Sequence, residues 1–361
     1  MDLDNIMDWA EKNIDAEYVE VRGEELSKLS IELKDGIFPT FTSLKLSGFG
    51  VRVLAKGAWG FSSTNRFENL KEAIENAYKM AKAASPGRYE EVTLAEIDVV
   101  EDEVKSKMRI KPSDVGVDEK VSRMKELEKT MKEANEVAST LIRYEDASGK
   151  KILYTSEGTR IVWDMDYIWQ YIWLTGKNER GFASARDEIG SVDKGWELFE
   201  KENVETISNR LLKKLRAQLN GVQPKRGEYP LVAGPIMVGI IAHEALGHLA
   251  EADLTINSPF RDLIGKQIAP EFVNMSDRIV EDGFGNNLYD DEGTKVKDVH
   301  IIKNGTLTEI MLNREYAAKF GMEPNGHARA ENYMVPPIIR MRNTVFEKGD
   351  YTLEELFEGI K

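Results

Sequence analysis

The sequence predicts an α+β fold in which N-terminal helices pack on an antiparallel sheet and a mostly β C-terminal portion carries the helix of a His-Glu-x-x-x-His motif. The N-terminal residues repeatedly show the apolar alternation of half-buried strands, and segments with the 3.6-residue period of helices lie between them. A stretch at 221–227 that contains Gly and Pro is typical of a linker. We therefore predict two domains, residues 1–222 and 223–361.

Helices and strands alternate in the predicted N-terminal domain. Each predicted helix has one apolar face, which we expect to pack on the sheet. Trp163, Trp169 and Trp173 lie in one strand-like run, and we interpret them as core residues because each buries a large apolar area. The predicted helices cover 2–14, 68–84, 118–138 and 204–220, and the predicted strands cover 16–22, 26–34, 44–55, 58–63, 138–147, 151–157 and 159–175.

The C-terminal domain is predicted to begin with a buried strand at 229–233, which leads into the motif helix. A hairpin is predicted from strands 298–302 and 307–312, because the Asn-Gly pair between them is a strong signal for a tight turn. The apolar segment 338–342 is a further predicted strand. Such a strand needs cover, so we expect the protein to form a dimer.

Composition excludes several classes of protein. The 361 residues include 63 acidic and 49 basic side chains, a formal net charge of −14, so we expect no direct contact with nucleic acid. The acidic N-terminus has no apolar signal segment, and the longest apolar run, 231–242, is too short to span a bilayer. There is no cysteine, which rules out disulfides in these residues. We expect a soluble cytoplasmic protein without membrane contact.

Residues 243–248, HEALGH, carry the main chemical signal. Neutral imidazoles are zinc ligands, and a carboxylate beside them can take a proton from water. On a regular helix, residues five apart point roughly 140° apart, whereas residues four apart differ by roughly 40°. His243 and His248 can therefore share a metal only if a π-type turn at 245–247 absorbs one residue. Gly247 makes such a local distortion less costly.

An ordinary helix is the alternative for this segment. In that case His248 is held by Glu244, four residues before it, or by Glu251, three residues after it, without any metal. The motif alone leaves both interpretations open.

Several blocks of residues, in one order along the chain, resemble the TldD/PmbA family of peptidases. The resemblance covers nearly the whole chain and is densest in its second half. The blocks are GFGVRV at 48–53, GFSST at 60–64, HEALGHLAEAD at 243–253, YDDEG at 289–293, NGHAR at 325–329 and RMRNT at 340–344. Because the histidine motif is intact, the chain resembles the catalytic TldD-type subunit rather than its metal-free TldE-type paralogue.

The resemblance implies a zinc peptidase that hydrolyses short or unfolded polypeptides inside a dimer cavity. The dimer would be a homodimer or a heterodimer with a TldE/PmbA-like paralogue, and a peptide would be the substrate. By matching position, His243 and His248 would be the zinc ligands and Glu244 the base that activates water. An effect on DNA topology through gyrase is also associated with the family, but the acidic composition indicates that any such effect is indirect.

The third zinc ligand of the family is a cysteine in a further C-terminal block. This chain ends at Lys361 without a cysteine, so we expect a truncated product or a shortened variant, with weak zinc binding and little activity. Glu251 is the best local substitute as third ligand, and Asp253 and His327 are weaker candidates. The alternative function is a non-catalytic partner or scaffold subunit that kept the histidines.

Arg340 and Arg342 form a second candidate site. They lie two residues apart on a predicted strand and therefore share a face. Guanidinium groups placed in this way could hold the carboxylate of a peptide. Ion pairs within this acidic protein are the alternative.

Overall fold

A computed structural model of the chain describes residues 2–87 and 90–360. Within these residues, no helix has the length and apolar character needed to cross a membrane. The helices are α1 (Leu3–Asn13), α2 (Leu70–Ala84), α3 (Val117–Lys132), α4 (Leu198–Lys201), α5 (Val204–Asn220), α6 (Pro235–Ile241), α7 (Ala252–Thr255), α8 (Arg314–Phe320) and α9 (Leu353–Phe357). The strands are β1 (Tyr18–Lys34), β2 (Ile37–Ala55), β3 (Ala58–Thr64), β4 (Glu101–Val104), β5 (Val137–Thr155), β6 (Arg160–Asn178), β7 (Gly181–Ser191), β8 (Met275–Asp277), β9 (Val299–Lys303), β10 (Thr306–Leu307), β11 (Ala328–Arg329), β12 (Ile338–Ile339) and β13 (Thr344–Phe346).

A large sheet organises the N-terminal half, with strand order β3-β2-β1-β5-β6-β4 and β7 paired to β6. All its pairs are antiparallel except β4 with β6. Strand β1 is continuous where the sequence predicts two strands, because Gly23 is paired on one side with Phe49 and on the other with Ile152. A side chain at Gly23 would lie 2.6 Å from Ile152, so this glycine permits close packing rather than a turn.

The helices cover one face of this sheet. Ile168, Ile172 and Leu174 of β6 pack in the same core as Leu211 and Leu215 of α5. A similar core joins α1 and α2 to β1, β2 and β5. The helical half of the fold therefore has its apolar residues where the sequence periodicity places them.

Trp163, Trp169 and Trp173 lie on the opposite face of β6 and are only half-buried. The prediction that they are core residues is wrong. Neighbouring residues of a strand point to opposite faces, and the helices cover only the face that carries the aliphatic residues. Tyr171 packs between two of the tryptophans, with ring centroids 6.0 Å from Trp169 and 6.4 Å from Trp173.

The C-terminal portion contains a four-stranded sheet, β10-β9-β8-β13, and the two-stranded ribbon of β11 and β12. The predicted hairpin turn is confirmed, since Asn304 and Gly305 form the turn between β9 and β10 with positive φ angles of 49° and 76°. The second strand is Thr306–Leu307 instead of the predicted 307–312. The predicted strand at 229–233 is wrong, because these residues have no regular structure. The α+β class is confirmed, whereas the boundary between 222 and 223 stays a prediction.

Buried ion pairs hold the C-terminal portion on one end of the uncovered sheet face. Arg52 donates to Glu20 at 2.7 Å and to Glu292 at 2.8 Å, and all three side chains are almost fully buried. Arg314 donates two hydrogen bonds of 2.7 Å to Glu157. Removing one partner from such a pair leaves a buried charge uncompensated, so these contacts fix how the two portions meet.

Candidate metal centre

The motif lies where helix α6 changes its geometry. Pro235 begins α6, and the chain continues after Ile241 as a π-helix over Ala242–Gly247 and a short 3-10 turn over His248–Ala250. The predicted π-type turn within this segment is therefore confirmed. A wider turn absorbs the extra residue of the motif.

The π-turn brings the two histidine rings to the same side. The centroids of His243 and His248 are 4.7 Å apart, with an angle of 73° between the ring planes. His243 and Glu244 are exposed, and His248 is half-buried. The arrangement leaves two imidazoles and one carboxylate accessible on a single helical turn.

Glu251 fixes the orientation of His248. Its carboxylate is 2% exposed, and Oε2 lies 3.1 Å from Nδ1 of His248. The backbone N–H of Met341 donates to Oε1 at 3.3 Å. This contact engages Nδ1 of His248 and leaves Nε2 as the ring nitrogen without a partner from Glu251. A metal-binding histidine is commonly held by a carboxylate in this way.

Gly247 allows close packing and does not supply conformational freedom. Its backbone angles, φ −58° and ψ −55°, are those of an ordinary helix. A Cβ at this position would lie 2.3 Å from Sδ of Met341 and 3.0 Å from the carbonyl oxygen of Ala242. The sequence does not reveal this role, because Met341 is far from the motif along the chain.

A complete ligand set is not assembled in the part of the chain that the structure describes. No three His, Cys, Asp or Glu side chains of residues 2–87 and 90–360 form a group that could hold a metal. Glu251 lies against Nδ1 of His248, a position that favours an orienting role over ligation. His327 is fully buried, with its ring nitrogens 2.8 Å from Asn325 and 3.1 Å from Asp277. Asp253 is half-buried, and burial raises its pKa.

The fold and the paired histidines indicate the class of protein only as one with a candidate metal centre on a distorted helix. Comparison with known families is more specific. Residues 19–81 match the model of PmbA/TldA metallopeptidase domain 1, residues 110–219 that of the central domain, and residues 226–361 that of the C-terminal domain. The chain belongs to the PmbA/TldD metallopeptidase family.

Two curated relatives agree with this assignment. A metalloprotease of Methanocaldococcus jannaschii is 32% identical, with 96% of this chain and 76% of the relative covered. A zinc metalloprotease TldD homolog of Saccharolobus solfataricus is 35% identical, with 87% of this chain and 69% of the relative covered. Both names imply a metal in those proteins.

Solved structures confirm the fold. TldE from Thermococcus kodakarensis superposes with a TM-score of 0.81 at 19% identity, over the whole of this chain (100%) and 80% of that one. A Thermotoga maritima protein, named as a candidate modulator of a DNA gyrase, superposes with a TM-score of 0.83 at 20% identity, over 99% of this chain and 79% of that one. At these identities the likeness concerns the fold alone.

Proposed function

We propose that this chain is a zinc-dependent peptidase of the TldD type that hydrolyses short or unfolded polypeptides. The observation that carries the proposal is the pairing of two imidazole rings 4.7 Å apart by a π-turn, with a buried carboxylate behind one of them. The metalloprotease names of the two archaeal relatives support it.

The donor set fits part of a catalytic zinc site. His243 and His248 would hold the ion, His248 through Nε2 because Glu251 engages Nδ1. Bound zinc polarises a carbonyl and lowers the pKa of a water molecule. A catalytic zinc normally has three protein ligands, and the described residues supply two in one place, so we expect weak binding by residues 1–361.

Glu244 would act as the general base. It is exposed, and among the described residues its carboxylate has no hydrogen-bond or ion-pair partner. A free carboxylate beside the two imidazoles can take the proton of the attacking water and pass it to the leaving amine. Glutamine has nearly the same shape but cannot accept this proton, so Glu244→Gln should abolish hydrolysis and keep metal binding.

A subunit partner is part of the proposal. The segment 338–342 gives little support for a dimer interface, because Ile339 and Met341 are already buried within the chain. Helix α6 gives better support, since Ile236, Met237 and Ile240 are 73%, 52% and 46% exposed beside the motif. An apolar patch of this kind marks a contact site. We propose that a second copy or a TldE-like paralogue covers it and encloses the substrate.

The test is hydrolysis of an unstructured peptide at saturating zinc, followed by mass spectrometry of the products. We expect slow cleavage by the parent chain, none by Glu244→Gln, and none by His243→Ala. Glu271→Gln is the matched control, because Glu271 is an exposed acid without a partner among the described residues. Equal rates in the parent and in Glu244→Gln would refute the proposal. Absence of zinc binding would favour the scaffold function instead.

A further inference from the structure

A cavity of about 240 Å³ lies between the uncovered face of the large sheet and the β11–β12 ribbon. Trp163 and Met165 of β6 form its floor, and Arg329, Arg340 and Arg342 of the ribbon and its continuation line the other side. The size is enough for the terminal residue of a peptide but not for a folded chain.

The arginines of this cavity keep unused hydrogen-bond donors. Neither Arg329 nor Arg340 makes a side-chain hydrogen bond or ion pair with any residue that the structure describes, and both are exposed. Arg342 pairs with Asp277 through Nε at 3.2 Å, but its buried Nη1 has no partner among the described residues. Free arginines at one place are unexpected in a chain where acidic residues outnumber basic ones, 63 to 49.

Three acidic residues of the same cavity, Glu24, Asp290 and Asp291, already have partners, whereas Glu331 at its edge is exposed and has none among the described residues. Asp291 accepts from Lys151 at 2.5 Å and from the backbone N–H of Ala330 at 2.7 Å. Asp290 accepts three backbone N–H bonds, of 2.9 to 3.0 Å. Burial raises the pKa of Glu24, and its carboxylate accepts from the backbone N–H of Tyr333 at 3.1 Å. Desolvation by neighbouring residues lowers the pKa of Arg329, so a bound anion would stabilise its charged form.

The ribbon connects this cavity to the candidate metal centre. Pairing of Arg329 with Ile338 places Arg329 and Arg340 diagonally on one face, where long side chains reach each other. Met341, the next residue, donates to Glu251, and Glu251 holds His248. Arg340 is therefore adjacent in the chain to the residue that contacts the carboxylate behind His248.

We propose that Arg329 and Arg340, helped by the free Nη1 of Arg342, bind the C-terminal carboxylate of a short peptide substrate. Guanidinium groups match a carboxylate in shape and charge, and bonds between ionised groups are the stronger kind. This inference rests on the proposed peptidase function and narrows its substrate class. Under this proposal, the enzyme cleaves a peptide close to its free C-terminus.

Binding to the Glu244→Gln variant tests the inference without hydrolysis. Three fluorescent pentapeptides are titrated at saturating zinc: one with a free C-terminus, one amidated, and one amidated with a glutamate side chain near its end. We expect the free acid to bind at least about tenfold more tightly than the amide, and the advantage to vanish in Arg329→Gln/Arg340→Gln. Arg340→Gln alone should remove part of it, should the double variant fail to fold.

Arg186→Gln is the matched control. Arg186 is exposed and has no side-chain partner among the described residues. It pairs with Trp173, which lies ten residues along β6 from the cavity residue Trp163. At about 3.3 Å per residue this is roughly 30 Å away. It should keep the preference for the free acid.

Three results would overturn the inference: equal binding of free acid and amide, equal weakening of both by the arginine substitutions, or no peptide binding at all. Tight binding of the glutamate-bearing amide would assign the arginines to acidic side chains and refute the terminal specificity. If discrimination between acid and amide persists while the parent chain never hydrolyses a peptide, the proposed peptidase function fails and the carboxylate site stands.

Discussion

Removal of the Glu251 carboxylate should weaken both the fold and the metal centre. In Glu251→Ala the buried N–H of Met341 loses its acceptor, and a buried unpaired donor costs about 1–3 kcal/mol. The hydrogen bond from Met341 to Glu251 is long, at 3.3 Å, so its loss removes a weak interaction. The ring of His248 is half-buried, so water can replace the lost Glu251 carboxylate there. We therefore expect the free energy of unfolding to fall by about 1–3 kcal/mol in total.

Zinc affinity should fall by about 10- to 100-fold in the same variant, which is the usual effect of losing the carboxylate that orients a histidine ligand. Glu251→Gln should be milder, because its amide oxygen can still accept one of the two hydrogen bonds. Urea unfolding without metal measures the stability, and competition with a chelating dye measures the affinity. Glu271→Ala is the control for loss of an exposed acid.

X-ray absorption at the zinc edge separates the two roles considered for Glu251. If Glu251 orients His248, the number of protein ligands stays the same in Glu251→Ala while the affinity falls. Loss of one oxygen ligand from the spectrum would show that Glu251 binds zinc directly. Unchanged affinity and unchanged stability would refute the reasoning altogether.

Further predictions concern the fold and its assembly. Arg52→Met should lower the free energy of unfolding by about 3–5 kcal/mol in urea, because the buried Glu292 loses its ion pair and the buried Glu20 keeps only the one with Arg22. An unchanged free energy of unfolding would contradict the role of Arg52. Burial lowers the pKa of His327, whereas an unfolded histidine has a pKa of about 6.5. Stability should thus be highest above about pH 6.5 and decline as pH falls through the folded-state pKa, and His327→Gln should flatten this decline. Gly247→Ala should destabilise by about 1–3 kcal/mol through overpacking against Met341, and the same substitution should cost less when it is made in a Met341→Ala background. Light scattering should show a dimer, and a monodisperse species of 40.9 kDa would count against it.

Local patterns in the sequence predict the long helices of the N-terminal half well, but not helix α8 in the C-terminal portion. Helix α5 was predicted for 204–220 and is observed over Val204–Asn220, because its apolar period is regular and Gly221 follows it. The long strands were predicted as fragments. Ser148 and Gly149 resemble a turn in isolation, yet Gly149 pairs with Leu26 and Met165 inside one continuous strand. Pairing on both sides satisfies the backbone, and this information lies elsewhere in the chain.

In the candidate site too, local sequence predicts some features, whereas others depend on residues far away in the chain. Helical geometry predicts the π-turn that lets His243 and His248 meet, because only the spacing of the two residues matters. The role of Glu251 depends on Met341, ninety residues away, whose N–H completes its hydrogen bonds. The sequence indicates Arg340 as a candidate for carboxylate binding, but it does not indicate Arg329, which only the ribbon brings beside it.

Anomalous diffraction at the zinc edge, from zinc-soaked crystals of residues 1–361, tests the central claim most directly. The account predicts one strong peak beside the π-turn, about 2.0–2.1 Å from a ring nitrogen of His243 and from Nε2 of His248. A peak bound to only one of the two histidines, or no peak at this turn at saturating zinc, would contradict it.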